Sequence, residues 1–267
     1  MDFPEVDFTK PKEVISLINL VQPDLIYNAI AYTDVDRAES EIEKALMING
    51  NTPGEIATYC FQKQIPLIHI STDYVFDGKK NALYSEEDLP NPINVYGKSK
   101  LDGEMAIIDS GCEYLIFRTS WVYSSRMGGF VKKVVNWAQK NEELRVVDDQ
   151  IGNPTWARTL AILSTHFIGN KNLDLYHFIK EKKGTYHLAG GGFTSRFEWT
   201  KAIINHLPEE VPIIVKSIVP AKTFEFPTPA KRPLFSALDC SKFESTFSTK
   251  IPNWEIASKL MLNNYNE

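Results

Sequence analysis

Tyr96 and Lys100 are the pair of side chains in this sequence whose types and spacing could transfer a proton. They lie four residues apart in "NPINVYGKSKLDGE" (91–104), at the predicted start of a helix, so one helical turn makes them neighbours. A free tyrosine has a pKa of about 10, and an ammonium one turn away favours the phenolate and lowers that pKa. Such a tyrosine can act as a general acid toward a carbonyl group that is being reduced. The spacing alone also fits an ordinary exposed pair on a helix surface.

Two hydroxyl side chains, Ser71 and Thr72, come at the end of the predicted strand that precedes this helix. The strand "IPLIHIS" (65–71) is a nearly continuous apolar run, which is typical of a buried parallel strand. Ligands of α/β proteins bind beyond the carboxyl ends of such strands. We therefore expect Thr72 to hydrogen-bond the same carbonyl oxygen that Tyr96 protonates, in a reductase site of the Ser/Thr–Tyr–Lys type.

Helix and strand patterns alternate along the chain, which predicts an α/β fold. The expected architecture is a Rossmann-like doubly wound parallel sheet with a smaller C-terminal lobe. Residues 1–183 are predicted to form the cofactor and catalytic domain, and residues 184–267 mainly a substrate-binding lobe. The predicted strands are 24–32, 65–71, 112–123, 144–150, 184–190 and 211–220. The predicted helices are 10–22, 41–64 with an interruption near 50–53, one that opens within 91–104 and runs to about 110, 130–140, 157–169 and 195–207, followed by a closing helix.

Charge and composition argue against several classes of protein. The net charge is -5 and the pI about 5.7, whereas a surface for nucleic acid needs a basic excess. No apolar run approaches the length that spans a bilayer, and the N-terminus does not resemble a signal peptide. The three cysteines are far apart, and no histidines form a pair at metal-ligand spacing. We therefore expect a cytoplasmic protein without nucleic-acid or membrane partners and without a dedicated zinc site; whether a divalent metal bridges subunits stays open.

Six stretches of the sequence resemble the extended short-chain dehydrogenase/reductases and, within them, the dTDP-4-dehydrorhamnose reductase family. They lie in the family order over almost the whole chain: "NAIAYTDVDRAE" (28–39), "HISTDYVFDG" (69–78), "NPINVYGKSKLDGE" (91–104), "FRTSWVY" (117–123), "VVDDQIGNPT" (146–155) and "PTPAKRPLFSALD" (227–239). A tyrosine four residues before a lysine identifies only the superfamily, and the other stretches together are much more specific.

The resemblance implies hydride transfer from NADPH to C4 of dTDP-4-dehydro-L-rhamnose. It makes Tyr96 the general acid, Lys100 its electrostatic partner that also holds the nicotinamide ribose, and Thr72 the residue that orients the sugar ketone. The residues implied at the cofactor are Asp7, Phe8, Asn28, Ala29, Ala31, Tyr96 and Lys100. The residues implied at the nucleotide-sugar substrate are Thr72, Asp73, Trp121, Asn153 and Arg232. NADH stays open as an alternative cofactor, because the end of the second family strand normally sets that preference.

The family begins with a strand, a glycine-rich turn and a helix whose N-terminus binds the cofactor pyrophosphate. This sequence begins at "MDFPEVDFTKP", which matches the family after its second strand, so we expect a sheet truncated at the N-terminus by roughly 30–40 residues. The strand within 24–31 then becomes a sheet edge that is prone to associate with another chain, and a homo-oligomer is expected. The glycine cluster within 188–199 could mimic a phosphate turn, but it aligns with the substrate region of the family.

Two other functions stay open from the sequence. A non-catalytic binding or regulatory protein on the same scaffold, like the regulatory β subunit of methionine adenosyltransferase, is favoured by the absent glycine turn. A sugar-nucleotide epimerase or dehydratase is the weaker alternative, because those enzymes usually carry different residues around Thr72. "RTSWVY" (118–123) and "DQIGNPT" (149–155) favour the reductase.

Overall fold

The computed structural model describes residues 6–125, 129–169 and 173–263. The helices are α1 (Pro11–Val21), α2 (Val35–Ala38), α3 (Ile42–Leu46), α4 (Thr52–Lys63), α5 (Val95–Asp109), α6 (Phe130–Ala138), α7 (Ala157–Thr165), α8 (Leu175–Lys182), α9 (Arg196–His206), α10 (Ser241–Thr246) and α11 (Trp254–Asn263). The strands are β1 (Ile26–Asn28), β2 (Leu67–Thr72), β3 (Tyr114–Thr119), β4 (Val122–Tyr123), β5 (Glu143–Val147), β6 (Ile151–Gly152), β7 (Thr155–Trp156), β8 (Gly184–His187), β9 (Thr194–Ser195) and β10 (Ser217–Ala221).

Four parallel strands form the central sheet in the order β1-β2-β3-β8. One row of paired residues, Asn28, His69, Ile116 and Thr185, crosses all four strands. The side chains of β3 are buried along its whole length, and those of β2 are buried at all but one position. Strands with this burial are apolar on both faces because both faces of the sheet are covered.

Helices cover the sheet on both sides. On one face, α1, α4 and α5 pack against Leu67 and Ile116. On the other face, α7, α8 and α10 pack against Ile68, Leu115 and Phe117. This is the doubly wound α/β arrangement, so the fold class expected from the sequence is confirmed.

Two predicted elements differ from the structure in a way that matters for the site. The apolar run 24–32 forms a strand only over Ile26–Asn28, and the rest is a loop. The predicted interruption of helix 41–64 is a π-helical turn, Met47–Asn51, through which the helix continues into α4. A π-turn adds one residue to a helical turn, so the chain bends there without leaving the helix.

The sequence pattern does not predict α8, which is short and begins where the Asp174 carboxylate accepts a hydrogen bond from the backbone N–H of His177 (3.1 Å). Residues beyond 183 supply β8 to the central sheet, and also α9 and α11, which pack with α6 around the buried Trp199. β10 pairs in parallel with β5. The boundary after residue 183 stays a prediction, since its C-terminal side contributes to both parts of the molecule.

The free thiols of Cys60 and Cys112 are buried. In the described ranges 6–125, 129–169 and 173–263, no helix has the length and apolar composition to cross a membrane. The same ranges contain no group of three or more His, Cys, Asp or Glu side chains placed to hold a metal ion.

Candidate active site

The start of α5 is held against the turn that follows β2, and this contact positions Tyr96 and Lys100. The Asn94 side chain caps the helix by accepting a hydrogen bond from the backbone N–H of Gly97 (2.7 Å). A Cβ on Gly97 would lie 2.1 Å from the carbonyl oxygen of Tyr74, so this close approach requires glycine. Tyr96 and Lys100 lie one turn apart in the helix that this contact anchors.

A cavity of about 690 Å³, here called the main cavity, opens beyond the carboxyl ends of β1, β2 and β3. Its lining includes the predicted site residues Ala29, Ala31, Thr72, Asp73, Tyr96, Lys100 and Trp121. The volume lies in the range of small-molecule and cofactor sites. The structure therefore brings most of the residues singled out in the sequence into one space, at the edge where α/β folds bind ligands.

The Lys100 amine is buried against β2. Its Nζ donates to the carbonyl oxygen of Ile70 (2.7 Å) and lies 3.1 Å from Nε2 of His69. Burial lowers the pKa of Lys100 to about 8, and the nearby Glu104 carboxylate opposes that change. An ammonium has three hydrogens, so at least one N–H of Lys100 is left to face the main cavity.

The pKa of Tyr96 is raised, and the sequence-based expectation that Lys100 would lower it is wrong for this structure. Burial of the phenol is the largest cause, and the Asp73 and Tyr74 side chains add to it. A hydrogen bond with the Thr72 side chain opposes the rise. The phenol therefore keeps its proton at neutral pH, which is the form that a general acid needs.

The Asp73 carboxylate lies in the wall of the main cavity and is bound by three hydroxyl groups. Thr72 Oγ1 donates to Oδ1 (3.2 Å), while Ser120 Oγ (3.1 Å) and Ser236 Oγ donate to Oδ2. Burial raises the pKa of Asp73 to about 6, although these hydrogen bonds favour the charged form. Thr72 Oγ1 also accepts a hydrogen bond from the backbone N–H of Tyr74 (3.2 Å), which fixes its position beside Tyr96.

Trp121 forms one side of the main cavity. Its backbone has a φ of 44°, a left-handed conformation that turns the chain at the end of β3. The indole stacks on Trp199 with ring centroids 5.7 Å apart. A Cβ on Gly152 would lie 2.7 Å from the Trp121 ring, so a small residue at 152 makes room for the indole.

Arg196, at the first position of α9, is a cavity residue that the sequence reasoning missed. Its guanidinium carbon lies 3.6 Å from the centroid of the Trp121 ring and 4.6 Å from that of Phe130. Burial lowers the pKa of Arg196 to about 10, so the group stays charged at neutral pH. No side chain or carbonyl of the described ranges accepts a hydrogen bond from this guanidinium. An arginine in a ligand cavity without an acceptor of its own is a candidate for binding an anion.

A second cavity of about 380 Å³ shares Tyr74 and Arg196 with the main cavity. Its lining also includes Lys133, Arg232 and the aromatic ring of Phe226. Cationic and aromatic side chains therefore continue from the main cavity into the second one.

Two residues predicted for the substrate side have other partners. Arg232 binds Asp36 with both ends of its fork, Nη1 to Oδ1 (2.9 Å) and Nη2 to Oδ2 (2.7 Å), so its charge is already paired, and it lines only the second cavity. Asn153 lines neither cavity; its Nδ2 donates to the Gly192 carbonyl (2.8 Å) and its Oδ1 accepts from the Leu238 N–H (2.8 Å). The Asn153 amide thus connects its own segment to those of Gly192 and Leu238, whereas the sequence implied a contact with the substrate.

Apart from Tyr96 and Lys100, the residues predicted for the cofactor lie in three places. Ala29 and Ala31 line the main cavity. Asn28 is buried beneath it, with Nδ2 3.1 Å from Nδ1 of His69. Asp7 and Phe8 are not among the residues that line the cavity. The Asp7 carboxylate accepts hydrogen bonds from the hydroxyl and the backbone N–H of Thr9. Phe8 packs against the helices on one face of the sheet. The structure therefore does not bring Asp7 and Phe8 to the site.

The chain is similar in sequence to proteins of one family. The family model of the RmlD substrate binding domain matches residues 1–267. A dTDP-4-dehydrorhamnose reductase of Sinorhizobium fredii is 38% identical over 263 residues, which cover 97% of this chain and 86% of that protein.

Two solved structures have the same fold over nearly the whole chain. The crystal structure of a dTDP-4-dehydrorhamnose reductase from Clostridium acetobutylicum has a TM-score of 0.89 and 32% identity, and covers 100% of this chain and 90% of that one. The reductase from Bacillus anthracis, solved in complex with NADP, has a TM-score of 0.88 and 32% identity over 99% of this chain and 89% of that one. The chain belongs to the dTDP-4-dehydrorhamnose reductase family.

Proposed function

We propose that this protein is an NADPH-dependent reductase that converts dTDP-4-dehydro-L-rhamnose to dTDP-L-rhamnose. The observation that carries the proposal is the meeting of Tyr96, Thr72 and Lys100 in one cavity at the carboxyl edge of a parallel sheet. Membership of a family whose curated members are named for this reaction supports the choice of substrate. The NADP complex of the Bacillus anthracis relative supports the choice of cofactor.

The residues of the main cavity fit a nicotinamide cofactor. The methyl side chains of Ala29 and Ala31 leave the wall beside β1 open. Lys100 has an N–H free of the protein for a ribose hydroxyl, because Ile70 and His69 account for two of its contacts. NADPH supplies the hydride when it is bound.

Tyr96 supplies the proton. Its raised pKa keeps the phenol protonated until negative charge develops on the ketone oxygen, and the phenolic proton then passes to that oxygen. Thr72 is held beside Tyr96 by Asp73 and the backbone. Its single hydroxyl hydrogen is donated to Asp73 Oδ1 and has to turn from that carboxylate to bond the ketone oxygen. The oxygen atoms of the acid and of the orienting hydroxyl are thus in place before substrate arrives, and only the Thr72 hydroxyl hydrogen has to turn.

The charges of the two cavities support a nucleotide-sugar substrate. A sugar ring in the main cavity would lie against Trp121, with the attached diphosphate near Arg196. The second cavity continues from Arg196 with Lys133 and aromatic side chains, which suit a phosphate and a flat base. Arg232, which the resemblance implies at the nucleotide sugar, lines the second cavity and is paired with Asp36.

The test is to mix the purified chain with NADPH and dTDP-4-dehydrorhamnose and to follow both the loss of NADPH absorbance and the sugar product. Turnover that requires the Tyr96 hydroxyl is expected. Binding of NADPH without turnover would favour a non-catalytic protein on this scaffold, and the absence of both would refute the reductase proposal.

A homo-oligomer is also proposed. In the described ranges, β1 has β2 as a neighbour on one side and no strand on the other. An open strand edge can pair with a second chain. Analytical ultracentrifugation over a range of concentrations tests this, and a monomer at every concentration would contradict it.

A further inference from the structure

His69 lies buried in the second strand of the sheet, between two polar side chains that contact its two ring nitrogens. Nδ1 is 3.1 Å from Nδ2 of Asn28, and Nε2 is 3.1 Å from Nζ of Lys100. Each of these two neighbours of His69 has a further hydrogen bond. The Asn28 Oδ1 accepts from the backbone N–H of Ile30 (3.2 Å), and Lys100 Nζ donates to the carbonyl oxygen of Ile70 (2.7 Å). Asn28, His69 and Lys100 are all less than a tenth exposed.

The hydrogens of this chain of contacts can be counted. Burial holds the pKa of His69 well below its usual value, with the Lys100 charge as a further cause, so the ring is neutral and carries one N–H. The Ile30 N–H fixes Oδ1 of Asn28 as an acceptor, which turns the amide NH₂ toward His69. Nδ1 of His69 must then accept, and the ring hydrogen lies on Nε2, facing Lys100. Only an uncharged amine can accept that hydrogen.

The charged form of Lys100 does not fit the same pattern. An ammonium has no lone pair, so Nε2 of His69 must accept from it and the ring hydrogen moves to Nδ1. That hydrogen then faces the NH₂ group of Asn28, and turning the amide only moves the conflict to the Ile30 N–H. One buried hydrogen bond is lost in the charged form, and buried donors without acceptors are costly.

Other charged groups near Lys100 act in both directions. Glu104, one turn further along α5, favours the ammonium, but its carboxylate is bound to the Arg118 guanidinium (2.7 Å). The other titratable side chains that line the main cavity together with Lys100 are Tyr27, Asp73, Tyr74, Tyr96 and Arg196.

We propose that His69, held by Asn28, is a positioning residue for Lys100, and that its tautomer changes whenever Lys100 gains or loses a proton. When the ammonium loses a proton, that proton leaves through the main cavity, which Lys100 lines, and the single ring hydrogen of His69 moves from Nδ1 to Nε2. One proton is released in total, and the amine becomes an acceptor. The pKa of Lys100, lowered to about 8, places this change near the pH of the cell. The effect on turnover rests on the proposed reductase function; the tautomer change does not.

Nuclear magnetic resonance of the full chain labelled with ¹⁵N-histidine tests the proposal without substrate or cofactor. From about pH 6 to about pH 10, we expect the His69 hydrogen to move from Nδ1 to Nε2, with a midpoint near the Lys100 pKa. The variant Lys100→Met should remove this change. A His69 ring that keeps one tautomer over the whole range in the wild type, or that changes equally in Lys100→Met, would overturn the proposal.

His187 is the internal control for this measurement, because it is also a buried histidine of the central sheet. Its Nδ1 lies 3.0 Å from the Tyr84 carbonyl and 3.2 Å from the Asp239 carbonyl, so it must carry its hydrogen on Nδ1. The His187 signals should stay those of the Nδ1–H tautomer at every pH where those of His69 change.

The variant Asn28→Asp tests the effect on turnover. A carboxylate at 28 accepts from Nδ1–H of His69, which leaves Nε2 as a permanent acceptor for the ammonium. The basic limb of the kcat profile should therefore move upward by about one pH unit, a tenfold change in proton concentration. The variant His187→Gln removes an imidazole of equal burial and should leave the limb in place. An active Asn28→Asp enzyme with an unmoved limb would contradict the coupling, whereas inactive wild type would count only against the reductase proposal.

Discussion

The Ser236 hydroxyl donates a hydrogen bond to the Asp73 carboxylate, across 163 residues of chain. Asp73 follows β2, which ends at Thr72, while Ser236 belongs to the C-terminal segment. The contact therefore fixes the C-terminal segment to the wall of the main cavity. It also makes Asp73 a carboxylate that is fully buried and yet adjacent to Tyr96, with a pKa raised to about 6.

Asp73 should make the stability of the protein depend on pH. The folded protein holds the Asp73 proton more tightly than the unfolded chain, whose pKa is 3.8. The contribution of Asp73 to the free energy of unfolding therefore falls as the pH rises from about 4 to about 6, and it stays at the lower value above that window. Asp73→Asn has no proton to lose, so its stability relative to wild type should rise by up to about 3 kcal/mol over the window. Urea denaturation at several pH values measures the difference, and a difference that does not vary with pH would contradict the assignment.

Tyr96→Phe should lower kcat by at least about 100-fold, because it removes the proton donor and leaves the ring. Its melting temperature should stay close to that of the wild type. Tyr123→Phe is the matched control: its hydroxyl is 2.9 Å from Ser258 Oγ and lies outside both cavities. That variant should lose stability but keep kcat, and a Tyr96→Phe enzyme as active as Tyr123→Phe would exclude Tyr96 as the acid.

Glu104→Gln should destabilise the protein by about 3 kcal/mol or more. The Glu104 carboxylate is 1% exposed, binds Arg118 through both oxygens and accepts from the Ser71 hydroxyl. The amide keeps the shape but leaves the buried Arg118 charge uncompensated. The exposed pair of Glu142 and Lys216 (2.9 Å) is the control, since Glu142→Gln should have little effect. Equal losses in the two variants, measured by urea denaturation, would show that burial does not decide the effect.

The local parts of the site could be predicted from the sequence, and the parts built by distant segments could not. β2, the start of α5 and the Tyr96–Lys100 spacing follow from a short apolar run and one helical turn. The raised pKa of Tyr96 depends on burial by the assembled fold, which no local pattern contains. The pairing of Arg232 with Asp36 joins residues 196 positions apart, so no local pattern shows that the charge of this arginine is already paired.

The sequence does not predict the role proposed for His69, because segments distant in the chain supply the partners of its ring. In the sequence it is one histidine in an apolar strand, and such residues are usually only packed. The sheet register places Asn28 directly beside it, and α5 brings Lys100 to its other nitrogen. A polar residue within a buried strand is the available signal, because buried polar groups need partners.

Arg196→Met should raise the KM for the nucleotide sugar by about 10-fold to 100-fold, since the lost contacts are charge-assisted hydrogen bonds. Methionine keeps an apolar contact with Trp121 and removes only the charge, so the fold and the KM for NADPH should not change. Steady-state kinetics with each substrate varied in turn measures the two values separately.

Arg158 provides the control for stacking, because its guanidinium also lies over an indole, 5.7 Å from the centroid of Trp156, but lines neither cavity. Arg158→Met should leave both KM values unchanged. If Arg196→Met raised the KM values of NADPH and of the sugar nucleotide equally, Arg196 would act by shaping the cavity as a whole. A selective rise for the sugar nucleotide is expected instead, because a guanidinium with no acceptor in the described ranges can bind an incoming diphosphate without first breaking an ion pair.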